Sequence, residues 1–165
     1  MTTISKIELS LYPYHIYTLC TDNRNEIVPQ INRFIRKHYL NEQPLPLNSL
    51  DSTTNSTGFV VKNDGYAFIV LPLDMESNNT LNQLHHIPTL MRVCAHEALH
   101  CTSFIMDSID IRWDPNNDEP IAYLVGHIAK HSLNAFIDFL SKKDLLQYIT
   151  LNESQAKATL TPKDH

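Results

Sequence analysis

Thr89-Leu90-Met91-Arg92-Val93-Cys94-Ala95-His96-Glu97-Ala98-Leu99-His100-Cys101-Thr102-Ser103-Phe104-Ile105 is the stretch from which the rest of the chain is read. No Gly or Pro interrupts the sequence from Thr89 to Asp110. The apolar Leu90, Met91, Val93, Cys94, Ala95, Ala98, Leu99, Phe104 and Ile105 spread widely around a helical circumference, which predicts a helix buried on most sides. Within it, His96-Glu97-Ala98-Leu99-His100 sets two imidazoles four residues apart with a carboxylate beside the first. Four helical residues turn about 400°, so the rings project ~40° apart and ~6 Å along the axis, where both reach one metal ion. Glu97 projects about 100° from His96, yet it can lean over an open metal position and take a proton from water. The plainer alternative is a pair of hydrogen-bonded core histidines with Glu97 as an exposed helix former.

A zinc site of this type takes three protein ligands and keeps a fourth position open. Glu119 is the candidate third ligand: it follows the break Asp114-Pro115-Asn116-Asn117-Asp118 and opens a second helical pattern, Glu119-Pro120-Ile121-Ala122-Tyr123-Leu124-Val125. These residues resemble the gluzincin branch of the zincin metallopeptidases, which includes thermolysin and the aminopeptidases related to leukotriene A4 hydrolase. In that aminopeptidase branch the third ligand is a Glu on a following helix, separated from the second His by eighteen residues, and Cys101 to Asp118 number eighteen here. Asn117-Asp118-Glu119-Pro120-Ile121-Ala122-Tyr123 is similar to the family's Asn-x-Glu or Asn-Glu motif. The chain departs from thermolysin at Tyr123, where that enzyme has an Asp supporting a zinc-binding His.

The resemblance covers residues 66–139. It implies a zinc metallopeptidase that hydrolyses a peptide or protein substrate, with Zn2+ held by His96, His100 and Glu119 and with Glu97 as general base. The family commonly stabilises its tetrahedral intermediate with a Tyr or His donor near the metal. Tyr123, one turn beyond Glu119 and about 40° round the helix, is the catalytic candidate ahead of His127 and His131. The plainer readings are a half-buried core tyrosine for Tyr123 and, for Glu119, a first-turn carboxylate favoured by the helix dipole.

Composition bounds the rest. At 165 residues and 42% hydrophobic the chain suits one domain, expected over residues 1–151, with a polar tail at 152–165. A net charge of −5 with 13 scattered Lys and Arg gives no footprint for nucleic acid. No apolar run approaches the ~18 residues of a membrane span, and Met1-Thr2-Thr3-Ile4-Ser5-Lys6 lacks a signal-peptide pattern, so a soluble cytoplasmic protein without a membrane partner is expected. Cys20, Cys94 and Cys101 are odd in number and fit a reducing compartment as small buried thiols. Three glycines exclude a glycine-rich phosphate loop.

The predicted fold is α+β, a small mixed sheet packed on the metal-binding helix and a following ligand helix. A first strand is expected from Ile7-Glu8-Leu9-Ser10-Leu11, bent at Pro13, through His15 to Cys20. An amphipathic helix over residues 26–39 follows, then a long polar loop at 41–57 that could form a lid. Gly58-Phe59-Val60-Val61 and Tyr66-Ala67-Phe68-Ile69-Val70-Leu71 flank Lys62-Asn63-Asp64-Gly65, a hairpin with a positive-φ Asp-Gly turn. By the resemblance, Tyr66 to Leu71 is the strand that runs along the cleft and pairs with substrate; an ordinary core strand is the other reading. His85 and His86 precede the metal helix, the helix opened by Glu119 should run through Leu140, and Ser141 should cap a last short helix over 142–149.

Two further function classes stand beside the peptidase. One is a non-proteolytic zinc-binding regulatory or protein-interaction module that keeps a zincin-like site, consistent with Tyr123 in place of Asp. The other is a deformylase-type hydrolase, which the absence of an upstream glycine-containing Cys motif disfavours.

Overall fold

The structure, a computed structural model, describes residues 1–39, 43–45, 56–63, 65–73, 87–114, 116 and 118–146. Its elements are strands β1 (Thr2–Ile7) and β2 (His15–Thr21), helix α1 (Ile27–His38), strands β3 (Phe59–Asn63) and β4 (Tyr66–Pro72), and helices α2 (Ile87–Ser108) and α3 (Glu119–Lys142). The strands form one mixed sheet in the order β1-β2-β4-β3. This is the expected α+β class.

β4 sits inside the sheet, parallel to β2 on one side and antiparallel to β3 on the other. Every one of its seven residues is buried, which is what its unbroken apolar sequence requires of a strand covered on both faces. On one face Tyr17, Leu19, Phe59, Val61, Tyr66, Phe68 and Val70 pack against Ile27, Ile31 and Ile35 of α1. On the other, Ile16, Cys20, Ala67, Ile69 and Leu71 pack against α2 and α3. α2 covers β3 and β4, α3 covers β1 and β2, and the two helices pack side by side.

Several expectations shift. The first strand is two strands: β1 begins at Thr2, and residues 8–14 turn the chain back into β2, which pairs with it antiparallel. Pro13, with no N–H to give a ladder, lies in this connection, and Tyr14 anchors it with its hydroxyl 2.6 Å from the Asn63 carbonyl oxygen and 3.0 Å from that of Tyr66. β3 and β4 pair as the expected hairpin, but β3 runs on through Lys62 to Asn63, which lies opposite Tyr66, and Gly65 does not take positive φ; Asp64 lies outside the described residues. Ser141 continues α3 rather than capping a new helix, and the chain turns at Asp144, whose φ is 56°. The rest of the expected terminal helix, the tail at 152–165, His85 and His86, and most of the 41–57 loop lie outside the described residues.

All three cysteines are buried and unpaired. Burial pushes the Cys94 thiol up to about 12 and raises Cys20 and Cys101 likewise. Among the described residues no helix is long and apolar enough to cross a membrane.

The end of α3 is tied to the end of β2 by an ion pair between Lys143 and Asp22, which also meets the amino group of Met1. Partial burial would raise the Asp22 carboxyl, but hydrogen bonds and charge from Lys143 and Met1 outweigh it and hold its pKa below the usual 3.8. A depressed carboxylate pKa contributes stability that is present above the unfolded value and lost as pH falls through the folded one. Asp22→Asn should therefore cost about 1 kcal/mol at neutral pH, and the gap from wild type should close on acidification below about pH 4, as read by urea denaturation at several pH values.

Candidate metal centre

α2 carries the site, and its two faces divide the work. Leu90, Val93, Cys94, Ala98, Cys101 and Ile105 are buried against the sheet and α3. The opposite arc, with Arg92, His96, Leu99, His100 and Ser103, is exposed. The helix is thus open on one side rather than buried on most sides.

His96 and His100 stand at that open face with their Nε2 atoms 3.2 Å apart and their rings nearly perpendicular, at 86°. Two imidazole nitrogens on one tetrahedral zinc, each at ~2.0–2.1 Å, are separated by about 3.3 Å, so the pair as it stands fits one edge of such a site. His100 also stacks on Phe104, with ring centroids 6.5 Å apart.

Glu97 is turned to the seam between the two faces and is only 5% exposed. Burial raises its pKa, while the charges of His96 and His100 oppose the rise. No described residue donates a hydrogen bond to its carboxylate. Its low exposure sets a carboxylate next to two imidazoles at the wall of an open cleft.

The chain from Gly58 to Lys62 runs beside this face. Gly58 lies against Val93 and Glu97, and Lys62 places its Nζ 3.9 Å from the centre of the Phe104 ring. β3 is therefore the strand that flanks the histidines, and its second edge is unpaired among the described strands. This corrects the expectation for Tyr66 to Leu71: β4 is hydrogen-bonded on both edges and has no backbone groups left for a ligand. A cleft of about 380 Å3 opens between the two elements, lined by Ser56, Thr57, Gly58, Arg92, His96 and Glu97, among others.

The remaining expected residues are not gathered here. Glu119 is exposed at the first position of α3, and among the described residues no third His, Cys, Asp or Glu completes a metal-binding group with the histidine pair. α3 turns Ile121, Leu124 and Ile128 into the core; at 100° per residue, Glu119 and Tyr123 lie about 160° either side of Ile121, on the outward face. Tyr123 is 76% exposed and lines a separate groove of about 660 Å3 with Leu9, Leu11 and His127. Its expected place beside the metal helix is thus corrected: the apolar stripe of α3 sets which face meets α2, and Tyr123 is opposite that stripe. Arg92 and Gly58 escaped the sequence reading. Arg92 was legible as the residue one turn before His96, whereas nothing local distinguished Gly58.

No protein-family model, curated protein or solved structure matches the chain.

A Cβ at Gly58 would stand 2.6 Å from Val93 Cγ1 and 3.5 Å from Glu97 Cγ. Valine is stiff at χ1 and cannot swing away cheaply. Gly58→Ala should destabilise the fold by about 1–3 kcal/mol by pushing β3 off α2; an unchanged urea midpoint would show that the close approach is not needed.

Proposed function

We propose that this protein is a zinc-dependent peptidase, a minimal zincin that hydrolyses peptide bonds. The observation that carries the reading is the pair of exposed imidazoles with Nε2 atoms 3.2 Å apart, next to a buried carboxylate that accepts no hydrogen bond from a described residue. The second edge of β3, which no described strand pairs, supports it, since an extended peptide can add to such an edge by main-chain hydrogen bonds. In this reading His96 and His100 hold the metal through Nε2, and Glu119 is the third ligand on the strength of its eighteen-residue spacing. The chemistry that zinc supplies when bound is Lewis acidity, which polarises a carbonyl and lowers the pKa of water to about 7.

The chain's own groups do the rest. β3 and the segment before it hold the peptide extended over α2. Glu97 accepts the proton of the attacking water and hands it to the departing amine. Glu97 lines the cleft beside Gly58, where its carboxylate can meet the attacking water.

A second reading is a non-proteolytic zinc-binding regulatory or interaction module. The outward position of Glu119 favours it, because a histidine pair with no third ligand close by among the described residues holds metal less tightly.

The peptidase reading expects one zinc per chain by elemental analysis and calorimetry. Glu97→Gln should keep the metal and lower kcat by roughly 10²-fold or more, whereas His96→Ala, His100→Ala and Glu119→Ala should each lose both. Full zinc affinity in Glu119→Ala removes that residue from the ligand set. Zinc binding without hydrolysis of any peptide in a mixed-sequence library selects the second reading, and no zinc binding at all defeats both.

A further inference from the structure

The cleft beside His96 and Glu97 has a charged end that the proposed chemistry does not use. Arg92 lies one turn before His96 on the same exposed face of α2, ~6 Å along the axis, and its side chain helps line the cleft. No described residue forms a hydrogen bond or ion pair with its guanidinium. Arg36 and Arg112 likewise meet no described partner, so what sets Arg92 apart is its place on the cleft wall beside His96. The facing wall is also fixed by a cation: Arg24 Nη2 donates to the Ser56 carbonyl oxygen at 2.6 Å, so that carbonyl is already engaged. The one anion among the described lining residues is Glu97, which is set low under Gly58.

A planar guanidinium with its N–H groups unspent, at the end of a groove that takes an extended chain, is a receptor for a carboxylate. Resting on the peptidase reading above, we infer that the substrate is a polypeptide bearing a carboxylate one or two residues from the bond that is attacked, and that Arg92 binds this group. The distance follows from the geometry: ~6 Å of helix between Arg92 and His96 equals about two residues of extended chain at ~3.3 Å each. Two sources present the same chemistry, an Asp or Glu side chain and a chain's own C-terminal carboxylate. Arg92 is thus a specificity-determining residue, not a catalytic one.

The test uses the full chain carrying Glu97→Gln, so that binding is read without turnover, and three fluorescein-labelled octapeptides of Ala, Leu and Ser. One ends in a free carboxylate, one is amidated and free of acids, and one is amidated with a central Asp. Fluorescence anisotropy should give at least roughly 10-fold tighter binding for one acid-bearing peptide than for the acid-free one. The preferred peptide identifies the source: the first marks a C-terminal carboxylate, the third an internal acid. Arg92→Ala should erase the preference, Arg92→Lys should retain part of it, and Arg112→Ala, which removes a surface cation lining a different cavity, should leave it intact. Equal affinities for the three peptides, no binding of any, or a preference that survives Arg92→Ala overturns the inference. The peptidase reading fails separately: acid-selective binding through Arg92 with no zinc and no hydrolysis by the wild-type chain would sustain the carboxylate site alone. Equal cleavage of acid-free and acid-bearing peptides would sustain the peptidase alone.

Discussion

Everything in this fold depends on β4 being paired on both edges and covered on both faces. Tyr66 to Pro72 carries no charged side chain and only the Tyr66 hydroxyl as a polar one, so the strand lies inside the sheet, and its backbone groups must be met by β2 and β3. That one requirement separates α1 from α2 and α3 onto opposite faces. It also sends β3 to the rim of the described sheet, beside the histidine face of α2.

α2 shows how a helix can serve a core and a site together. Its inner stripe of Leu90, Val93, Cys94, Ala98, Cys101 and Ile105 is ordinary apolar packing that holds the helix by area removed from water. The outer arc can then carry groups that contribute little to folding. Glu97 lies between the two regimes, and its raised pKa records the cost: the fold keeps a carboxylate where a neutral group would be cheaper. Thr102, whose buried hydroxyl meets no described partner, is a smaller compromise on the same helix.

What was legible in the sequence was what local periodicity encodes. α1 fell within one residue of its expected ends, β3 and β4 pair as the expected hairpin, and α2 and α3 fall on the segments read as helical, because their apolar spacing is a property of neighbouring residues. The convergence of His96 and His100 was legible for the same reason. What escaped depends on partners distant in the chain. β1 was missed because Thr2 to Ile7 is a strand only through pairing with β2, and β4 was assigned to the cleft because its neighbours could not be read. Spacing from Glu119 sets Tyr123 one turn on, but the buried stripe of Ile121, Leu124 and Ile128, equally present in the sequence, decides which face meets α2 and turns Tyr123 outward.

The buried thiols of α2 have a consequence for how the helix can be watched. A thiol with a pKa of about 12 exposes at neutral pH only about one thiolate in 10⁵, and Cys94 is in addition closed off from solvent. Oxidants and alkylating agents therefore pass the histidine-bearing helix by while it is seated on the sheet. The slow modification that remains counts the moments at which the helix lifts, making Cys94 and Cys101 a native clock for opening at the site, readable without any introduced label.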